Sequence, residues 1–114
     1  MSLKDQIAAY GSNLKVKKLE IDGLKDFYIR EMSAGDREQL EDDLESKSIQ
    51  NKLRATIFIK SVCDKTGTLL YTADELDEVN AYRLPLLTKV FNESNKLNGI
   101  ALGDVEAVED EVKN

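Results

Sequence analysis

Residues 64 to 69 read Asp64-Lys65-Thr66-Gly67-Thr68-Leu69, directly after Cys63. An aspartate in such a setting is a candidate nucleophile: its carboxylate can attack the terminal phosphate of ATP and carry it as an aspartyl phosphate. That chemistry needs more than the aspartate. It requires an in-line phosphate, Mg²⁺ held by further carboxylates, and a cation to neutralise developing charge. The segment Asp64 to Gly67 is equally good turn chemistry. Asp hydrogen-bonds its own downstream backbone, and Gly takes a positive φ.

The hexapeptide resembles, letter for letter, the phosphorylation motif of P-type ion-pumping ATPases. That resemblance implies distant partner motifs: a Thr-Gly-Asp step and a Gly-Asp-Gly segment on a large doubly wound α/β domain. It also implies membrane spans of about 20 apolar residues. The chain has Leu102-Gly103-Asp104 but no Gly-Asp-Gly, and 114 residues leave little room for such a domain. No uninterrupted apolar run approaches a span. A structural turn is therefore expected, with a phosphotransferase using Asp64 as the remote alternative.

Composition narrows the chemistry further. There is no histidine, which removes the commonest general base and metal ligand, and with it any Ser–His, Cys–His or Cys/His zinc arrangement within one chain. The formal charge of −6 argues against a nucleic-acid partner, which needs a clustered basic face. One cysteine makes no internal disulfide, and the start Met1-Ser2-Leu3-Lys4-Asp5-Gln6 lacks the apolar core of an export signal. A cytoplasmic protein is expected, with Cys63 a small buried hydrophobe and no catalytic, cofactor-binding or metal site.

The elements that position these residues follow from periodicity. Residues 1 to 12 form a short amphipathic lead-in, with Leu3, Ile7 and Ala8 at helical spacing and Gly11-Ser12 as its break. Leu14 to Ile21 alternates as a strand, with a slip between Val16 and Leu19 that predicts a bulge. Asp22-Gly23 signals a hairpin. The return strand, 27 to 32, puts Phe27 and Ile29 on one face and Tyr28, Arg30 and Met32 on the other. Ser33 caps a helix over about 34 to 46, with Asp36 reaching back and Leu40 and Leu44 as a narrow apolar stripe. Its remaining faces are acidic: a solvated surface, or a docking face for a basic partner.

The segment 49 to 63 reads two ways. Ile49, Leu53 and Ile57 are four apart and predict a helix, whereas Thr56-Ile57-Phe58-Ile59 would suit a strand. The helix is favoured because Lys52, Arg54 and Lys60 then leave the apolar stripe. Thr72 to Glu75 is a capping box for a helix from about 73, carrying Leu76 and Val79. Pro85 suits the first turn of a last helix, with Leu84, Leu87, Val90, Phe91 and Ser94 at helical spacing and Asn98-Gly99 as its stop. Beyond 100 the chain turns acidic and small. The expected fold is thus α+β: an N-terminal antiparallel β-hairpin packed with about four α-helices. It forms one domain over 1–99, followed by an acidic, flexible C-terminal tail over 100–114.

In this order the motifs resemble the tail assembly chaperones of HK97-like long-tailed bacteriophages and prophages. The resemblance rests on Met1-Ser2-Leu3-Lys4-Asp5-Gln6-Ile7, on the run from Tyr28-Ile29-Arg30-Glu31-Met32-Ser33 to Glu38, and on Ser61 to Thr72 with its Asp-x-x-Gly turn. The close Lys96-Leu97-Asn98-Gly99 completes it. Lys65-Thr66 departs from the more acidic residues expected within that turn. The resemblance implies a non-enzymatic protein of the host cytoplasm, absent from the mature virion, that binds the tape measure protein and the tail tube protein during tail assembly. It also implies a possible C-terminally frameshifted form of the chain as a partner. A homo-oligomer is a further possible partner, and neither nucleic acid nor membrane is expected. Another phage structural or adaptor protein is the alternative.

Residues expected at a partner surface are Tyr28, Arg30, Met32, Tyr71, Tyr82 and Phe91, since aromatics and arginine anchor interfaces. For Phe91 and Tyr71 core packing is the competing role.

Overall fold

The Asp22-Gly23 turn joins β1 (Val16–Ile21) to β2 (Leu24–Arg30), with Gly23 at φ +82°. The computed structural model describes residues 2–46 and 52–99. The strands pair antiparallel, Val16 opposite Arg30 and Leu19 opposite Phe27. The register shifts between Leu19 and Ile21, so the irregularity lies nearer the turn than the sequence pattern predicts. β2 also starts three residues earlier than expected. Its other edge takes β3 (Val62–Cys63), which sets Val62 opposite Ile29 in a sheet of order β1-β2-β3. Period-2 alternation then turns Leu19 and Ile29 into the core, with Tyr28 and Arg30 on the opposite face.

Five helices are described. α1 (Leu3–Ser12) is capped by Ser2, whose Oγ accepts from the Asp5 amide at 3.1 Å. α2 (Ala34–Glu45) opens with the expected reciprocal cap: Ser33 Oγ accepts from the Asp36 amide at 3.1 Å, and Asp36 Oδ2 from the Ser33 amide at 3.4 Å. α3 (Leu53–Ser61) decides the described part of the ambiguous segment in favour of helix, with Val62–Cys63 extended. Its β-branched residues are tolerated because packing outweighs propensity: Thr56 to Ile59 are all buried. Glu75 reaches back to the Thr72 amide at 3.0 Å. The first turn there is a 3₁₀ turn, Ala73–Glu75, leading into a five-residue α4 (Leu76–Asn80). α5 (Leu84–Leu97) carries Pro85 in its first turn and stops before Gly99 at φ +72°.

The core lies between the sheet and the α3–α5 pair. Leu19, Ile29, Phe58, Val79 and Val90 form its larger part, and Leu40, Ile57 and Phe91 a smaller one under α2. Phe58 is its aromatic centre, edge-on to Phe27, Tyr71 and Tyr82 at 6.3, 5.4 and 6.2 Å between centroids. The architecture is α+β, with the N-terminal hairpin as expected and a third strand besides. The expected tail 100–114, and Ile49, lie outside the described residues.

Candidate functional site

Asp64 sits in the turn that follows β3. Its Oδ1 accepts from the Thr66 amide at 2.8 Å, the Thr66 hydroxyl at 2.6 Å and the Thr68 amide at 3.0 Å. The Asp64 amide donates to the Thr68 carbonyl at 2.9 Å, and Gly67 turns the chain at φ +90°. The hydrogen bond from the Thr66 hydroxyl, and then that from Thr68, hold the carboxyl below its ordinary pKa. Donors converging on one oxygen shape a loop. Among the described residues, no group of three or more His, Cys, Asp or Glu side chains is placed to hold a metal ion.

The turn is also anchored on the outer face of the sheet. Arg30 Nη1 donates to the Gly67 carbonyl at 3.0 Å, and Gly67 lies so near Val16 that an added Cβ would come within 3.3 Å of its side chain. Arg30 Nη2 also reaches Asp36 at 3.9 Å, so one guanidinium links the hairpin, the turn and the start of α2. Cys63 is buried, and burial raises its thiol pKa against the opposing effect of Arg30.

The structure separates the six residues expected at a partner surface. Phe91 is 3% exposed, packed with Leu40 and Ile57 and capped by the Arg54 guanidinium 5.4 Å from its ring. Tyr71 and Tyr82 are half-buried neighbours of Phe58, 6.4 Å apart. Burial, followed by the hydrogen bond with Tyr82, pushes the Tyr71 pKa up to about 12. Tyr28 is half-buried opposite Lys18 and Cys63.

Met32 sits differently, where two surface grooves meet. One is bounded by Tyr10, Leu14, Lys15, Glu31, Met32 and Ala34 and holds about 370 Å³. The other runs from Met32 and Ala34 to Arg37 and Asn98 and holds about 190 Å³. The Met32 amide donates to Asn98 Oδ1 at 2.8 Å, fixing the hairpin exit against the end of α5.

The larger groove leads to a feature that aromatic content alone did not reveal. α1 buries no residue. Leu3, Ile7 and Tyr10 are 70, 61 and 84% exposed, and they fall within about 60° of arc at 3.6 residues per turn. The three form one apolar stripe along a helix about 15 Å long, running to the groove at Tyr10. The signal in the sequence was the amphipathic spacing of residues 1 to 12. Tyr10 completes the stripe, and its exposure follows from the tertiary arrangement.

No protein-family model matches the sequence, and no curated protein matches it. Among solved structures, the chain is similar to that of the bacteriophage HK97 tail assembly chaperone. The superposition has a TM-score of 0.61 at 15% identity, covering 87% of this chain and 99% of that one. The arrangement of hairpin, added strand and helices described above is thus the fold of the HK97 tail assembly chaperone.

Proposed function

We propose that this protein is a phage tail assembly chaperone, and that it acts by holding the tape measure protein in solution while the tail is built. The observation that carries the proposal is the fold shared with the HK97 chaperone over nearly that protein's whole length. The apolar stripe of α1 supplies a physical means. A long helical client exposes apolar faces before assembly, and an amphipathic helix with an open face can cover them. Met32 extends that surface along the groove from Tyr10, Tyr28 offers a separate contact on the outer face of the sheet, and Phe91 contributes from the core as a support. The tail tube protein is a second client on this proposal. The chain works without a covalent step, in the host cytoplasm, and leaves before the virion matures. A homo-oligomer and a C-terminally frameshifted form of itself are further partners on this proposal.

Co-expression with the tape measure protein tests the proposal. The expected result is a soluble tape measure only when the chain is present; an equally insoluble tape measure with and without it overturns the proposal. Mass spectrometry of purified virions separates a chaperone, which should be missing, from a structural component. Incubation with labelled ATP and Mg²⁺ tests the phosphotransferase alternative: a hydroxylamine-sensitive label that is lost in Asp64→Asn would favour it over the proposal.

A further inference from the structure

α2 closes the smaller part of the core with little of its own surface. Of its twelve residues Leu40 is buried, and Leu44, one turn on, is half-buried. Leu40 meets Ile57 and Phe91, which are 2 and 3% exposed, and Leu53 and Leu76 flank them. One helix held by two leucines thus keeps an apolar surface of α3 and α5 out of water.

That helix is charged against itself. Glu38, Glu41, Asp42 and Glu45 are all exposed, and both 38 and 45 stand three or four residues from 41 and 42. Like charges at those spacings are neighbours on a helix surface and repel. The last turn carries Asp42, Asp43 and Glu45 and no basic residue, so its charge opposes the helix dipole as well. Arg37 answers part of this by donating to Glu41 Oε1 at 3.1 Å.

The first turn, by contrast, is tied down. Ser33 and Asp36 cap each other, Arg30 Nη2 lies 3.9 Å from Asp36, and the Met32 amide donates to Asn98 Oδ1. The later turns join the core through the apolar contacts of Leu40 and Leu44. A pivot at the start and repulsion along the rest is the arrangement of a lid.

We infer that α2 is a charge-controlled lid, which swings out about Met32 and Ser33 while the sheet, α3 and α5 stay folded, and so uncovers Ile57 and Phe91. Repulsion among Glu38, Glu41, Asp42 and Glu45 favours the open form, and screening or neutralising them favours the closed one. Twelve residues with this charge pattern do not hold a helix unsupported, so the α2 amides exchange with solvent once the lid leaves the core. The inference does not depend on the identity of any client.

Native-state hydrogen exchange of the full chain, followed by NMR in low urea, tests this. At about 0.01 M salt the amides of Leu40 to Leu44 should show protection roughly tenfold below that of Phe58 in α3 and Val90 in α5. Their urea dependence should be intermediate, below that of global unfolding but clearly above zero, because opening exposes the Ile57–Phe91 surface. At about 1 M salt, where the screening length falls to about 3 Å, the gap should narrow several-fold. The variant E38Q/D42N/E45Q should narrow it as much at low salt. The variant E20Q/D74N/E78Q, which changes the net charge equally at exposed sites outside α2, should leave it unchanged. The inference is overturned if α2 exchanges only together with α3 and α5, or without urea dependence, as fraying does. A gap indifferent to salt, or narrowed equally by both variants, would also overturn it.

Discussion

Helices α1 and α3 are nearly equal in length and opposite in fate. α3 buries six of its nine residues, and α1 none of its ten. No residue of α3 is fully exposed, as befits a helix enclosed by a sheet and a second helix, although Arg54 and Lys60 lie off its apolar stripe. α1 carries a single apolar stripe, the pattern of a helix that covers one surface, and no surface of the described chain covers it. A helix of this length is marginal by itself in water, so its stripe gains most by meeting a partner. The described chain divides into a block whose apolar surface is closed by folding and an arm whose apolar stripe folding leaves open.

Substitutions can break that division, and the core should show the largest effect. Phe58→Ala removes the ring that Phe27, Tyr71 and Tyr82 surround, and should cost about 3–5 kcal/mol in urea unfolding. A smaller loss is expected where α3 meets α5. Ser61 Oγ and Ser94 Oγ are fully buried and 3.0 Å apart, so Ser94→Ala strands a hydroxyl and should cost about 1–3 kcal/mol.

Glu93 sharpens the comparison through pH. Its hydrogen bond from Lys17 above all, and then the charges of Lys17, Lys96 and Lys89, hold its carboxyl below the ordinary 4.5. A depressed carboxylate contributes stability that is complete above its unfolded pKa and lost as pH falls through the folded one. Acid unfolding of Glu93→Gln should therefore show a lower plateau near neutrality and a shallower loss below pH 4.5 than the parent. The smallest stability effect belongs to the arm. Leu3→Ser, Ile7→Ser and Tyr10→Ser together should move stability by no more than about 0.5 kcal/mol, because all three are already exposed. A loss of several kcal/mol would mean that α1 belongs to the folded block.

What the sequence made legible was local. Ser33 with Asp36, Asp22-Gly23, Pro85 and the stop at Asn98-Gly99 each act within a few residues, and each stands where the pattern puts it. The Asp64 turn was legible for the same reason, since Asp64, Thr66 and Thr68 satisfy one another. Placement across the fold was not. Phe91 and Tyr10 are both aromatics on amphipathic helices, and nothing in their neighbours distinguishes a ring 3% exposed from one 84% exposed. That depends on α5 packing against α3 while α1 buries no residue. The bulge was displaced towards the turn for a similar reason: register is fixed by which face meets the core, and Leu19 must pair with Phe27 to reach it. Arg30, expected at a partner surface by residue type, is engaged in holding the turn and α2 to the sheet.

The most direct test of the central claim is the soluble fraction of the tape measure protein co-expressed with the Leu3→Ser, Ile7→Ser, Tyr10→Ser variant, whose fold is verified by an unchanged melting temperature. A tape measure as insoluble as with no chaperone is expected. A folded variant that keeps the tape measure as soluble as the parent chain does would contradict it.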